Sequence, residues 1–415
     1  MSVRDILEQL TKHAWDLPAF EETLRNKAIW HFAHIIDKER EQLIAANKKD
    51  YKNAREAEVA EALIMRLILN DEKIQRMINS LHAVAAQETL VGSLLSEREL
   101  RSGLLLQKLR CPIGLIAFIF ESRPDAFVQM VSLAIKSANA LILKGGSEAL
   151  HSNQCLYQFV QRALSEAGLP PCIGHITERE DVKELLRHDD LVSLLIPRGS
   201  KNFVHYLMHN TRIPILGHAD GICHIYVDKD ADIEQAIAVV VDSKTQYPAV
   251  CNAVETLLVH KDASEILQRI VVALKEKGVC LKVDKRAKKF VSTAQDADED
   301  DWRTEYLDLI LSIKMVEDVN DAVRHINKYG SHHTDAIITK NKKHMRYFLA
   351  RINSANAFAN CSTRLSDGYR YGLGAESGIS TGKLHARGPV GIEGLMTYRW
   401  VLIGQGHTVA EYDKT

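Results

Sequence analysis

Cys251, in the stretch KTQYPAVCNAVETLLVH at 244–260, is the residue best placed to do chemistry. A polar, proline-turned lead precedes it and an apolar run follows. A thiol at the point where a turn becomes a regular element can be exposed and ionised, and the thiolate is the nucleophile. Cys111, Cys155, Cys172 and Cys280 lack such a setting and read as small hydrophobes in a core. Cys361, in the polar loop ANCSTRLSDG, is the rival nucleophile. Cys223 lies near His218 and His224 in GHADGICH, but that spacing matches no common zinc pattern, so no metal is expected.

Two basic glycine turns carry a second kind of chemistry. LKGGSEA holds Lys144, Gly145, Gly146 and Ser147, and IPRGSKN holds Arg198, Gly199, Ser200 and Lys201. Each follows an apolar run with strand character. Glycine lets a backbone approach a ligand closely, and the helix start beyond such a turn favours an anion. The neighbouring cations suit ribose hydroxyls or a phosphate. Neither G-x-G-x-x-G nor a Walker A motif is present.

These residues need elements to hold them. Residues 1–100 show apolar positions at three-to-four spacing with dense opposite charges, the pattern of amphipathic helices. From 110 onward short, nearly continuous apolar runs alternate with helical patterns: PIGLIAFIFES, ALILKGG and LVSLLIPRGS are such runs. Strands buried on both faces and separated by helices imply a parallel, doubly wound sheet. Its ligands are expected beyond the carboxyl ends of the strands. A second alternation from 233 to 330 is long enough for another α/β domain, and GLMTYRWVLIGQGHTV near the end has strand composition. The domains expected are 1–225 for cofactor binding, with a hairpin near 98–112, then 226–362 for catalysis, then 363–415 as a return segment with a C-terminal strand.

Of the 415 residues 46% are hydrophobic and 26% charged, as in ordinary soluble globular chains, and the formal net charge of −1 gives no basic field for nucleic acid or a membrane surface. The first residues lack the apolar core of a signal peptide, and no apolar run reaches membrane-spanning length. Seven scattered cysteines with no C-x-x-C pair argue against a disulfide framework and for a reducing cytoplasm.

Taken in order, PIGLIAFIFESRPD, LILKGGSEA, IPRGS, GHADGICH, KTQYPAVCNAVETLLVH, TEYLDLILSIKMV and FANCSTRLSDGYRYGLGAESGISTGKLHARGPVG resemble the gamma-glutamyl phosphate reductases of the aldehyde dehydrogenase superfamily. The resemblance runs over nearly the whole chain. It implies an aldehyde dehydrogenase-like fold of two doubly wound α/β domains plus an oligomerisation hairpin and strand. It also implies NADPH-dependent reduction of L-glutamyl 5-phosphate to L-glutamate 5-semialdehyde, the second step of proline synthesis from glutamate. By this resemblance Cys251 is the nucleophile. Lys144, Gly145 and Ser147 meet the adenosine ribose side of NADP(H), Arg198, Gly199 and Ser200 cover its phosphates, and Glu305 holds the nicotinamide ribose. Asn252 adjoins the nucleophile, Ser122 stands where relatives place an oxyanion donor, and Arg123, Ser362, Thr363 and Arg364 bind substrate. Hydrolytic relatives keep a glutamate base some thirty residues before the cysteine. Here that stretch carries Gly217 and His218, which favours transfer to phosphate over hydrolysis. A CoA-dependent acylating dehydrogenase also lacks that base and is the alternative. A homo-oligomer is expected, and association with glutamate 5-kinase fits a labile acyl phosphate.

Overall fold

The computed structural model describes residues 2–412 except 60, 200 and 219. The chain divides into two compact units, one formed by 1–216, 372–378 and 390–415, the other by 217–371 and 379–389.

The first unit begins with helices. Val3–Asp16 is capped by a reciprocal pair, Asp5 N–H donating to Ser2 Oγ at 3.2 Å and Ser2 N–H to Asp5 Oδ2 at 2.9 Å. Helices Glu22–Lys38, Arg40–Glu56, Glu61–Leu67 and Asp71–Ala85 follow. Lys136, with no side-chain exposure, ties this layer to helix Pro124–Lys136: its ammonium donates to Glu22 Oε1 at 2.6 Å, Asn26 Oδ1 at 2.8 Å and the Ala85 carbonyl at 3.1 Å. Strands β1 (Leu94–Arg101) and β2 (Leu104–Pro112) form an antiparallel hairpin. Then β3 (Leu115–Phe120), β4 (Ala140–Gly145), β5 (Ile173–His175) and β6 (Leu194–Arg198) build a parallel sheet in the order β5-β4-β3-β6. All six residues of β3 are buried, as continuous apolar runs in a two-face-covered sheet require. The strand order reverses at β3. In register, Phe120 at its carboxyl end lies between Gly145 of β4 and Arg198 of β6.

The second unit holds β7 (Cys223–Val227), β8 (Val254–His260), β9 (Cys280–Val283), β10 (Gln295–Asp296), β11 (Ile310–Val316), β12 (Thr334–Ile338) and β13 (Asn356–Ala359), all parallel, in the order β10-β9-β11-β8-β7-β12-β13. Helices Ile233–Thr245, Ser264–Glu276, Val319–Tyr329 and Lys342–Arg351 accompany it. β14 (Ile379–Ser380) and β15 (Gly388–Pro389) form a small antiparallel pair. In the first unit, β16 (Met396–Ile403) pairs antiparallel with β2, from Met396 opposite Pro112 to Ile403 opposite Leu105.

The α/β architecture read from the sequence is present. The boundary differs: the expected division at 225/226 would cut β7, whose residues pair with β8 and β12, so the chain changes units at 216/217 instead. The second unit also runs past 362, to 371, and regains 379–389. Among the described residues no helix is long and apolar enough to cross a membrane.

Candidate active site

Cys251 sits on the turn between helix Ile233–Thr245 and β8. The turn is anchored on both sides by one buried ion pair: Lys244, at the helix end, donates to Glu255 of β8 at 2.6 Å, and neither side chain is exposed. Burial pulls the lysine down and pushes the Glu255 carboxyl up to about 7. Removing one partner strands the other charge, so Lys244→Met is expected to cost about 3–5 kcal/mol, read as a clear drop in Tm. Within the turn Ala253 N–H bonds the Val250 carbonyl at 3.0 Å. Cys223, at the start of β7, donates its thiol to the Cys251 carbonyl at 3.2 Å. Gly221 lies flat against Cys251, where a Cβ would overlap the Cys251 carbonyl and Cα. Gly221→Ala is therefore expected to push the nucleophile aside and lower kcat by about 10²-fold with little change in cofactor affinity, measurable by steady-state kinetics beside a binding titration.

Two histidines face the thiol. One ring nitrogen each of His218 and His333 and the Cys251 Sγ lie within 4.8 Å of one another. The rings meet edge to face, 4.7 Å between centroids. His218 Nδ1 bonds the Ile379 carbonyl at 2.6 Å, and His333 Nδ1 bonds Thr334 Oγ1 at 2.9 Å, which fixes both rings. Burial alone would raise the Cys251 thiol. Positive charge on His333 and then His218 outweighs it and holds the thiol well below its ordinary value. The thiolate is thus present at lower pH than a free cysteine allows. His333→Gln removes the leading stabiliser, so the thiol shifts upward. The acid limb of the pH profile for iodoacetamide alkylation of Cys251 is expected to move to higher pH by about one unit or more; an unmoved limb would refute this origin of the low thiol.

Glu305 belongs to the same site. Burial raises its carboxyl to about 7 and the Cys251 charge adds to the rise, while His218 and the Gly221 N–H oppose it. Gly221, Cys251, Glu305 and His333 all lie on segments entering β7, β8, β11 and β12, four neighbouring strands in the order β11-β8-β7-β12. Cys251 therefore stands at the amino edge of this sheet.

Arg364 lies in the electrostatic neighbourhood of Cys251. Burial and then Arg370 depress its guanidinium, while the Cys251 charge supports it. It is 8% exposed, and Nε donates to Gln246 Oε1 at 3.0 Å. Ser362 caps the turn Thr363–Leu365 by accepting Arg364 N–H, and bonds Ser243 across at 3.0 Å. The Thr363 N–H also donates to Ser243, and its own hydroxyl is buried without a partner among the described residues. Asn252 is buried and its amide donates to the Ser366 carbonyl at 2.8 Å, so it braces the Arg364 loop against the cysteine turn.

The remaining expected residues lie in the first unit. Ser122 is fully buried with a left-handed φ of +40°, and both its N–H and its hydroxyl donate to Glu148 Oε1, at 2.6 and 2.7 Å, joining the β3 turn to the 147–149 turn. Arg123 opens helix Pro124–Lys136, with Lys73 in its electrostatic neighbourhood. Lys144 and Gly145 end β4, Ser147 is exposed just beyond, and Arg198 ends β6 with Gly199 after it. Ser200 lies outside the described residues. Gly145 is packed so closely on Asn153 that a Cβ would overlap the amide. Lys144 is half-buried, donates to the Gly145 carbonyl at 2.7 Å and is depressed by burial. Two cation-bearing turns, one on each side of the strand where the order reverses, fit an elongated anionic dinucleotide.

His333 escaped the sequence reading. Its only trace there is the histidine pair in GSHHTD, which nothing local links to Cys251 82 residues away. His218 was noted for its nearness to Cys223 and for standing where hydrolytic relatives keep a glutamate, not as a neighbour of Cys251.

Two parallel-sheet units, one with a dinucleotide-type edge and one with an activated cysteine, are those of an oxidoreductase. The chain belongs to the aldehyde dehydrogenase family, whose profile matches residues 12–293; enzymes of this family use nicotinamide cofactors. A gamma-glutamyl phosphate reductase of Acetivibrio thermocellus is 49% identical over 416 aligned residues, spanning 100% of this chain and 96% of that one. The crystal structure of gamma-glutamyl phosphate reductase from Thermotoga maritima is 39% identical, with a TM-score of 0.95 over 98% of this chain and 100% of that one. An acetylating aldehyde dehydrogenase from Geobacillus thermoglucosidasius, 17% identical with a TM-score of 0.68 over 98% and 97% of the two chains, shares the fold.

Proposed function

We propose that the chain reduces L-glutamyl 5-phosphate to L-glutamate 5-semialdehyde with NADPH, releasing phosphate, in the second step of proline biosynthesis from glutamate. The observation that carries this reading is a thiolate held beside a buried cation: Cys251 between two histidines, coupled to Arg364. A nucleophile next to a fixed guanidinium suits an acyl carbon bearing an anionic leaving group. The full-length relatives named for this reaction support the substrate.

In this reading the Cys251 thiolate attacks the acyl carbon, the bond from that carbon to the phosphate oxygen breaks, and phosphate leaves with its electron pair. Arg364 carries the negative charge that accumulates and departs. Glu305 holds the nicotinamide ribose, and Lys144, Gly145, Ser147, Arg198, Gly199 and Ser200 hold the rest of the dinucleotide. NADPH, when bound, supplies the hydride that reduces the thioester. The sulfur–carbon bond then breaks, the aldehyde leaves, and His333 and His218 stabilise the returning thiolate. Arg123 offers a further cation for an anionic group. The setting is cytoplasmic. The exposed Tyr398, Trp400 and Leu402, alternate residues on one face of β16, mark the face through which copies of the chain associate, and glutamate 5-kinase is the proposed partner that delivers the acyl phosphate.

The reverse reaction tests this. Purified protein given glutamate semialdehyde and NADP is expected to reduce the nicotinamide only when inorganic phosphate is added. Reduction that requires CoA and ignores phosphate would replace this reading with an acylating dehydrogenase.

A further inference from the structure

We propose that the Cys251 pocket is also a binding site for a borderline-soft divalent cation, zinc in particular, with Cys251 Sγ and one ring nitrogen each of His218 and His333 as ligands, and that the ion reversibly silences the nucleophile. It goes beyond the proposed reaction and does not depend on its substrate. No metal was expected from the spacing of Cys223, His218 and His224, of which His218 alone belongs to this set. The three donor atoms lie within 4.8 Å of one another in one unit. Ligand atoms of a tetrahedral zinc with bonds of 2.0–2.3 Å stand about 3.3–3.8 Å apart, so small side-chain adjustments suffice.

Two further observations point to a ligand. His333 has no exposure, and its Nε2 is buried without a hydrogen-bond partner among the described residues. Such an atom is costly unless something pairs with it. In addition, each ring is held through Nδ1, His218 by the Ile379 carbonyl and His333 by Thr334 Oγ1, which is how metal-binding histidines are oriented by their surroundings. Three protein donors leave a fourth position for water or for the neighbouring Glu305 carboxylate. Zinc would enter with no redox change, bound by the thiolate and two neutral imidazoles, so the thiol proton and any proton on the ligating ring nitrogens leave to solvent.

The donor chemistry sets selectivity. A thiolate and two imidazoles favour zinc or cobalt and reject magnesium and calcium, which take oxygen ligands. The other cluster of this kind among the described residues, Asp228, Asp230 and His344, does not qualify: Asp228 already accepts from Tyr226, the Lys229 N–H, Thr339 and His344.

The experiment is alkylation of Cys251 in the full chain by iodoacetamide, with Zn²⁺, Co²⁺ or Mg²⁺ present and no substrate. At a zinc concentration a hundredfold above its dissociation constant the rate is expected to fall about 100-fold and to recover with chelator, while Mg²⁺ has no effect. Co²⁺ is expected to give a thiolate charge-transfer band that prior alkylation removes. His333→Gln and His218→Gln are each expected to weaken zinc protection by about 10-fold or more, with thermal melts confirming that the variants fold. Alkylation unslowed by zinc, equal slowing by Mg²⁺, absence of the Co²⁺ band, or undiminished protection in both folded variants would each overturn the proposal.

Discussion

Cys251→Ser is expected to lose turnover by at least about 10⁴-fold while binding the nicotinamide cofactor as tightly as the parent. Serine preserves the shape of the turn, so Gly221, Cys223 and the Lys244–Glu255 pair keep their places. What disappears is an atom that two histidines can hold as an anion near neutral pH. A hydroxyl lies far above that range, and the same imidazoles cannot bring it down. The expected cofactor residues Lys144, Arg198 and Gly199 lie in the other unit, on the β4 and β6 edges, which is why affinity for the nucleotide should survive. Steady-state rates alongside a fluorescence titration of the nucleotide measure both halves. Near-parental rates in the variant would remove Cys251 from the mechanism.

Arg364→Met carries the next largest effect. A buried guanidinium beside an anionic nucleophile, with a neutral amide as its side-chain partner at Gln246, is a cation held ready for an anion. Losing a desolvated, charge-assisted contact is expected to lower kcat/KM for the acyl phosphate by about 10²–10³-fold, mostly through KM, and to weaken inhibition by inorganic phosphate in parallel. Methionine fills a similar volume without charge, so stability should change little. Alkylation of Cys251 by neutral iodoacetamide supplies the control. It should change far less than kcat/KM, because His333 and His218 outrank Arg364 around the thiol. Equal losses in both assays would mean that Arg364 acts by ionising the cysteine and not by holding substrate.

What could be read in the chain beforehand follows from how local each signal is. Cys251 was legible because its turn, the proline lead and the apolar run of β8 are contiguous. The β4 and β6 turns were legible for the same reason, since a strand, a glycine and a cation within seven residues need no distant partner. Membership of a sheet is not local. Cys223–Val227 has the composition of any doubly buried strand, so nothing in it revealed that it pairs with Val254–Val259 and Asp335–Ile338 instead of joining the first sheet. The same limit hid His333, brought to the cysteine only by the β7–β12 pairing. Nor could the residues around Ser122 show that Glu148, 26 residues on, accepts from both its N–H and its hydroxyl. Asn252 likewise proved to brace a loop whose approach the sequence does not encode locally.

A transient acyl bond to the Cys251 sulfur is the centre of the proposed mechanism. Its most direct measurement mixes the protein with γ-glutamyl phosphate generated in situ, without nicotinamide, and follows intact-protein mass with peptide mapping. A glutamyl adduct confined to the peptide containing Cys251, formed together with released phosphate and discharged on adding NADPH, is the predicted result. Phosphate release with no protein-bound acyl group, or an adduct on Cys361 in place of Cys251, would contradict it.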